Sequence, residues 1–205
     1  MSETLVEYNI IMPSNYKHPE GLASHLGGHE GETHLDEGAL NYVVEKFNIK
    51  SMIDIGCGPG GMVELAMNKG LVAWGVDGDD KVERSEIIKE RIHIHDYATG
   101  PYVPDWFHLG WSVEFVEHVD KPFMPNFLET FKKCMYVVMT HALPNQPGHH
   151  HVNCMPFTYW AGVMEAIGFE LLLDDTNKMR EASTMRERYI RQQGYLFKNG
   201  RVPSL

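Results

Sequence analysis

The segment Asp54-Ile55-Gly56-Cys57-Gly58-Pro59-Gly60 decides the fold of this chain. It follows the apolar run 49–55 and precedes Met62, where apolar residues resume at helical spacing. A glycine loop between a strand and a helix lets the backbone approach a ligand closely, because glycine tolerates positive φ and has no side chain to collide. The loop therefore predicts a cofactor site, with a tight turn that binds nothing as the alternative.

Two acidic residues strengthen the cofactor interpretation. Asp77 ends the second predicted strand, 21 residues after Gly56, which is the offset expected for one strand–helix–strand step. A carboxylate at that position accepts hydrogen bonds from both ribose hydroxyls of a nucleoside. Asp54 lies two residues before the first glycine, where an acid can meet the ammonium group of an amino acid.

The same loop also fits a second cofactor class. Gly56, Gly58 and Gly61 satisfy the G-x-G-x-x-G spacing of dinucleotide-binding proteins, so an NAD-linked oxidoreductase is an alternative. Gly60 and the preceding Asp54 favour a nucleoside with an amino-acid tail, because NAD offers nothing for that acid to bind.

Apolar runs and helical periodicities alternate along the rest of the chain. Predicted strands cover 49–55, 71–76, 91–95, 107–113, 135–139, 169–173 and 194–198, and predicted helices cover 35–47, the segment from 62, 81–89, 123–131, 157–167 and 174–191. Strands separated by helices pair in parallel through right-handed crossovers and carry helices on both faces. The sequence therefore predicts one α/β domain.

Composition restricts the partners and the compartment. The 205 residues are 43% hydrophobic, enough for one sizeable core. A net charge of −10 without a Lys/Arg run disfavours nucleic acid and an anionic membrane surface, and no apolar stretch approaches the roughly twenty residues that span a bilayer. Three dispersed cysteines indicate neither a disulfide framework nor a zinc ribbon. We expect a cytoplasmic protein, and the sequence carries no signal for an oligomeric state.

Residues 1–34 are polar and rich in glycine, histidine and proline. We expect them to form an irregular arm that folds over the cofactor as a lid, with 35–205 as the single folded domain. His25, His29 and His34 in this arm and the later histidines 149–151 offer metal-ligand chemistry. Ligands that are all histidines from two distant loops disfavour a metal, and we predict none.

With these residues in place, the chain resembles the class I S-adenosylmethionine-dependent methyltransferases. Their first motif, D/E-x-G-x-G-x-G, is matched by 54–60, and their ribose acid by Asp77. The resemblance covers 49–197 and implies a Rossmann-like, seven-stranded, mostly parallel sheet with an antiparallel last strand and helices on both faces. Residues 111–119 look like the small-molecule, type 11/23-like branch, and 25–38 and 148–153 resemble a phage, marine-microbial and large-virus subgroup.

The resemblance implies S-adenosylmethionine as methyl donor and S-adenosylhomocysteine as product, and it places Asp96 and Tyr97 beside the adenine. The cofactor-binding residues predicted in this way are Asp54, Gly56, Cys57, Gly58, Gly60, Asp77, Gly78, Asp96, Tyr97, Trp111 and Ser112. Residues 111–114 lack the D/N-P-P-Y/F tetrapeptide of nucleic-acid and protein N-methyltransferases. This departure argues against amino-group methylation of adenine or glutamine.

A hydroxyl acceptor benefits from a base, and histidine has the most suitable ordinary pKa. In the loop after the fifth predicted strand, His149 and His151 share a face if the segment is extended. We predict His151 or His149 as general base and Glu114 near the methyl group; a solvated loop and a helix cap are the alternatives. Further candidate substrate contacts are His118, His150, Asn153, Tyr159 and Trp160.

The sequence therefore predicts O-methylation of a hydroxyl on a small-molecule or glycan-like acceptor, most simply a sugar. N- or carboxyl-methylation of a small metabolite remains open. An NAD-linked oxidoreductase and a non-catalytic cofactor-binding partner of another enzyme are the alternatives from other classes.

Overall fold

A computed structural model describes residues 18–201 of the chain. In chain order the elements are α1 (Glu37–Phe47), β1 (Ser51–Ile55), α2 (Gly61–Asn68), β2 (Val72–Asp77), α3 (Glu86–Lys89), β3 (Ile92–Ile94), β4 (Phe107–Ser112), α4 (Met124–Phe131), β5 (Cys134–Met139), α5 (Phe157–Ala166), β6 (Phe169–Leu171), α6 (Leu173–Ala182), α7 (Tyr189–Gln193) and β7 (Tyr195–Asn199). Two short 3₁₀ turns, Val116–His118 and Lys121–Phe123, follow β4. No helix within residues 18–201 is long and apolar enough to cross a bilayer.

The seven strands form one sheet in the order β3-β2-β1-β4-β5-β7-β6. Strand β7 lies antiparallel between β5 and β6, and the pairs formed by β1 to β5 are parallel. The predicted Rossmann-like sheet with an antiparallel last strand is confirmed. In the dinucleotide-binding order 3-2-1-4-5-6 no strand is inserted in this way.

Two hydrophobic cores cover the two faces of the sheet. Successive strand residues point to opposite faces, so Met52 belongs to one core and Ile53 to the other. Helices α1, α2 and α6 pack on the Met52 face, and α4 and α5 pack on the Ile53 face. The buried strands leave their carboxyl ends as the place where loops can form a site.

Asp36 explains one difference from the predicted elements. Its carboxylate caps α1 by accepting from the Ala39 amide at 2.9 Å, and it also accepts from the Ser183 hydroxyl and from the Thr184 amide. These bonds end α6 at Ala182, so the single helix predicted over 174–191 is wrong and is instead α6 and α7.

The helix predicted over 81–89 is also too long. The Asp79 carboxylate accepts from the amides of Lys81 and Val82 at 2.7 and 3.1 Å, which holds this stretch in a turn. Helix α3 starts only after Ser85, whose hydroxyl accepts from the Ile88 amide. Every other predicted helix or strand agrees with the structure to within two residues at each end.

Residues 18–36 precede α1 without a helix or strand of their own and lie across the carboxyl edge of the sheet. Residues 1–17 of the predicted arm lie outside the described residues, as do 202–205. The covering segment thus reaches the edge where β1, β2 and β4 end.

Candidate active site

A cavity of about 910 Å³ opens at the carboxyl ends of β1, β2 and β4. Its other walls come from residues within 24–34, 146–151 and 186–193. Open α/β sheets bind ligands at this edge, and small-molecule sites commonly measure roughly 300–1,000 Å³. The cavity is large enough for a nucleoside cofactor together with part of an acceptor.

The glycine loop forms one end of the cavity. The amides of Gly56 and Cys57 donate to the Val76 carbonyl at 2.9 and 3.2 Å, which fixes the loop to β2. The Gly58 amide donates to Oδ2 of Asp77 at 2.8 Å. Because each carboxylate oxygen has two lone pairs, Asp77 keeps acceptor capacity for ribose hydroxyls while it supports the loop.

Asp54 places a buried carboxyl group with a raised pKa at this end of the cavity. Its side chain is buried at the end of β1 and lines the cavity. Burial, followed by the charge of Asp77, raises the pKa of the Asp54 carboxyl to about 8. A cationic group bound beside it would favour the ionised form, so the site is suited to a ligand that carries an ammonium group.

Arg84 supports the glycine loop through hydrogen bonds to the Gly58 carbonyl. The sequence analysis did not identify this residue. Its Nε and Nη2 atoms donate to the Gly58 carbonyl at 2.9 and 2.7 Å, and Nη1 donates to the Asp79 carbonyl at 2.9 Å. The side chain is 4% exposed and lies 3.9 Å from Asp77. One buried guanidinium therefore connects the loop with the acidic turn after β2.

Asp96 and Tyr97 follow β3, where the resemblance places the adenine, and both line the cavity. Oδ2 of Asp96 lies 2.9 Å from Nε2 of His25. The Tyr97 ring is buried and its hydroxyl is hydrogen bonded to Thr130 at 2.8 Å. The arm thus contacts the same acid that is predicted to bind the cofactor base.

Glu114 lines the cavity two residues after the end of β4. Its backbone has φ +53°, a left-handed conformation that is uncommon for residues other than glycine. Its amide donates to Oγ1 of Thr140 at 2.7 Å, and that hydroxyl donates to Oε1 of Glu114 at 3.0 Å. Burial raises the pKa of the Glu114 carboxyl to about 7, against a lowering by the Thr140 hydrogen bond.

Glu117, His118 and His151 converge next to Glu114. One potential ligand atom from each of the three residues lies within 4.8 Å of the others. The Glu117 carboxylate is buried and neither oxygen has a hydrogen-bond partner among the described residues. Burial and then the charge of Glu114 raise the Glu117 pKa, although nearby backbone amides lower it without forming bonds of standard geometry. A buried acid of this kind is stabilised by a cation.

The two imidazoles of this cluster are oriented alike. Nδ1 of His118 donates to the His149 carbonyl at 2.7 Å, and Nδ1 of His151 donates to the Gln146 carbonyl at 3.0 Å. A carbonyl can only accept, so in both neutral rings Nε2 carries the free lone pair. Burial lowers the pKa of His118 to about 3 and also lowers that of His151. Both rings are therefore neutral at pH 7.

The other two histidines of the triplet have different surroundings. Nε2 of His149 donates to the Leu26 carbonyl at 2.8 Å, so it is not available as a proton acceptor at that atom. Nε2 of His150 lies 3.4 Å from Oδ2 of Asp120. Both rings line the cavity, but neither shares the arrangement of His118 and His151.

The metal set considered from the sequence does not assemble. His25, His29 and His34 each lie beside a carboxylate, namely Asp96, Asp79 and Glu187, at 2.9, 3.0 and 3.2 Å. Among the described residues, the group whose potential ligand atoms lie close together is instead Glu117 with His118 and His151. Glu117 was not among the residues predicted for any site.

No protein-family model matches the chain, and no curated protein matches it. Solved methyltransferase structures do match. The TehB-like SAM-dependent methyltransferase from Corynebacterium glutamicum is 14% identical, with a TM-score of 0.56 over 79% of this chain and 87% of that one. The methyltransferase domain of bacterial-CtHen1-C is 20% identical, with a TM-score of 0.54 over 80% of this chain and 96% of that one.

Magnesium protoporphyrin IX methyltransferase from Synechocystis PCC 6803, solved with bound SAH, is 13% identical, with a TM-score of 0.54 over 77% of this chain and 78% of that one. The chain has the class I methyltransferase fold. These identities establish the fold and nothing finer. The strand order, with β7 inserted antiparallel, also differs from the classic dinucleotide-binding order.

Most residues predicted for the methyltransferase site line the cavity; they are Asp54, Gly56, Cys57, Gly58, Asp77, Gly78, Asp96, Tyr97, Trp111, Glu114, His118, His149, His150 and His151. Five others do not: Gly60, Ser112, Asn153, Tyr159 and Trp160. Trp160 is 1% exposed in the core, and the Tyr159 hydroxyl contacts the Met124 sulfur at 3.3 Å. Helix α5 therefore places its aromatic side chains away from the cavity.

Proposed function

We propose that the protein transfers a methyl group from S-adenosylmethionine to a hydroxyl group of a small or glycan-like acceptor. The observation that carries this proposal is one cavity lined by two chemically different groups of residues, here called its cofactor end and its acceptor end. The glycine loop with Asp54 and Asp77 suits a nucleoside that carries an amino-acid tail. The cluster of Glu117, His118 and His151, with Glu114 beside it, suits an oxygen nucleophile that must lose a proton.

At the cofactor end, Asp54 would pair with the ammonium group of the methionine moiety and Asp77 with the ribose hydroxyls. The buried Asp54 carboxyl holds its proton in the absence of a cation, because its pKa is raised. An ammonium group beside it offsets this cost, as in other buried ion pairs with good geometry. The loop amides and Arg84 keep the cofactor end in place.

At the acceptor end, Glu117, His118 and His151 fit a divalent cation, since a buried carboxylate without hydrogen-bond partners among the described residues lies within 4.8 Å of one potential ligand nitrogen from each imidazole. Nδ1 bonds to backbone carbonyls orient both rings, as is usual for metal-bound histidines. Mixed carboxylate and imidazole donors suit Mn²⁺ or Zn²⁺. When bound, such an ion lowers the pKa of an acceptor hydroxyl and fixes its oxygen.

In this proposal Glu114 takes the acceptor proton. It lines the cavity next to the cluster, and its pKa lies near neutrality because of burial. The hydroxyl oxygen attacks the methyl carbon, the carbon–sulfur bond breaks, and its electron pair stays on the sulfur of S-adenosylhomocysteine. His151, which the sequence predicted as a base, is a cation ligand in this proposal. His149 does not take the proton; its carbonyl instead orients His118.

The cofactor assignment is tested by calorimetric titration with S-adenosylmethionine, S-adenosylhomocysteine and NADH. We expect micromolar binding of the first two ligands only. Asp77→Ala should abolish it, whereas Asp80→Ala, which removes an exposed acid beside the same strand end, should leave it unchanged. Binding of NADH alone would overturn the proposal.

The acceptor end is tested separately by titration with Mn²⁺ and Zn²⁺, comparing Glu117→Gln and His118→Ala with the exposed Glu129→Gln as control. Transfer of a labelled methyl group is then screened on sugars, small alcohols, amines and carboxylic acids, with and without a chelator. We expect methyl transfer to a hydroxyl group, and we expect the chelator to stop this transfer. Transfer to amines or carboxylates alone contradicts the hydroxyl assignment.

A further inference from the structure

The lid segment, defined as residues 18–35, contacts both ends of the cavity. At the cofactor end, His25 lies 2.9 Å from Asp96, and Nε2 of His29 donates to the buried Asp79 at 3.0 Å. The tautomer of His29 follows from its other nitrogen, which accepts from the Gly31 amide at 2.9 Å. The lid segment is therefore held on the two acidic strand ends by specific side chains.

The lid segment also contacts the acceptor end, where the Leu26 carbonyl accepts a hydrogen bond from His149. The Leu26 carbonyl lies 2.8 Å from Nε2 of His149 and 3.2 Å from Nε2 of His18. The rings of His18 and His149 also stack, with centroids 5.7 Å apart. On its other side, the Leu26 side chain packs so closely on Gly78 that a Cβ there would lie 2.6 Å from it.

His149 connects the lid segment with the cluster by two opposite hydrogen bonds. Its side chain donates to the Leu26 carbonyl, and its own carbonyl accepts from Nδ1 of His118 at 2.7 Å. A Cβ at Gly28 would lie 3.2 Å from Cε1 of His118 and 3.4 Å from Cδ2 of His149. The lid segment thus also passes close to both rings.

The loop on which His149 lies is itself fixed to the cluster. The amides of Val152 and Asn153 both donate to the Glu117 carbonyl at 3.0 Å. A displacement of His149 therefore changes the position of a carbonyl that orients His118, on a loop that is otherwise anchored. This arrangement gives the lid a path to the acceptor end through contiguous hydrogen bonds.

We propose that His149 is a positioning residue that couples closure of the lid segment over the cofactor to the geometry of His118 at the acceptor end. The identity of the two ligands rests on the function proposed above. A cofactor that contacts the closed lid favours that state, and the closed lid favours the cluster geometry that holds a cation. Such coupling is reciprocal, so each ligand raises the affinity for the other by the same factor.

The experiment measures Mn²⁺ affinity with and without saturating S-adenosylhomocysteine, together with hydrogen exchange of residues 18–35. In the wild-type protein we expect the affinity to rise about five-fold or more and exchange in the lid segment to slow. In His149→Ala both ligands should still bind, with a gain below about two-fold and no slowing of exchange. His149→Gln should restore both effects, because its side-chain amide can donate to the Leu26 carbonyl but cannot act as a base.

His93→Ala, on the exposed edge strand β3, is the control and should behave like the wild type. An undiminished gain in His149→Ala overturns the inference, and so does failure of His149→Gln to restore it. If both ligands bind the wild-type protein independently, the inference is wrong and the proposed function stands. If S-adenosylhomocysteine does not bind at all, both are wrong.

Discussion

Glu114 and Thr140 hold each other by two reciprocal hydrogen bonds across the ends of β4 and β5. The Glu114 amide donates to the Thr140 hydroxyl, which in turn donates to the Glu114 carboxylate. The pair stabilises a left-handed backbone at Glu114 that by itself costs about 1–3 kcal/mol. Such strain at the end of a strand positions one carboxyl group towards the cavity.

Removal of the Thr140 hydroxyl should therefore disturb the acceptor end. In Thr140→Val the Glu114 carboxylate loses an accepted hydrogen bond, so its pKa rises further. We expect the midpoint pH of methyl transfer to move upward, because Glu114 must be ionised to take the acceptor proton. Thr140→Ser keeps the hydroxyl and should retain the wild-type midpoint; an equal midpoint in all three proteins would show that the pair has no role.

Asp54 should make the ligand-free protein less stable at alkaline pH. Its ordinary pKa of 3.8 is raised to about 8 in the folded state. Between these values the folded state holds a proton that the unfolded state has released, so stability falls as the pH rises from about 4 to about 8. Asn at this position has no proton to lose. We expect Asp54→Asn to gain at least about 2 °C in Tm relative to wild type between pH 5 and pH 9.

The same substitution should weaken S-adenosylhomocysteine binding, because the ammonium group loses its counter-charge. In the wild-type protein, bound S-adenosylhomocysteine should remove the alkaline loss of stability. Asp80→Asn, at an exposed acid, serves as the control for both measurements. A wild-type Tm that follows the same pH profile as that of Asp54→Asn would argue against a buried, protonated Asp54.

Arg84 should be required for the shape of the glycine loop. In Arg84→Met the Gly58 and Asp79 carbonyls lose their buried donors, each worth about 1.5–3 kcal/mol for a charged group. We expect about ten-fold weaker S-adenosylhomocysteine binding and a lower Tm. Arg84→Lys keeps the charge without the planar fork and should be intermediate in both, which guards against misfolding of the first variant. Wild-type affinity in Arg84→Met would contradict the role.

Local patterns predicted the helices and strands, because these elements are encoded locally, and the family resemblance supplied the antiparallel last strand. The apolar run before Gly56, the glycine loop and Asp77 each follow from sequence neighbours, and the sheet forms around them as expected. The boundary errors at α3 and α6 arise from carboxylates that accept from backbone amides, locally at Asp79 and across the chain at Asp36. Asp36 accepts from Thr184, which is 148 positions away, and no periodicity contains that information.

The candidate site was predictable in composition and less so in arrangement. A triplet such as His149-His150-His151 indicates histidine chemistry, but side-chain direction depends on the turn at His150, where φ is +44°. Glu117 was missed because one acid in a short segment has no spacing signal, although its position three residues after Glu114 and next to His118 could have suggested a shared cluster. Trp160 was predicted as a contact because aromatic residues serve cores and sites equally well.

The lid segment described above has a kinetic consequence. S-adenosylhomocysteine would leave a cavity that residues 24–34 cover, and opening must break the contacts of His25, His29 and Leu26. When such opening is slower than the chemical step, the first turnover outpaces those that follow. We expect rapid-quench measurements with S-adenosylmethionine to show a burst of one methyl group per protein molecule, so that release of product, and not the strength of the nucleophile, limits the rate.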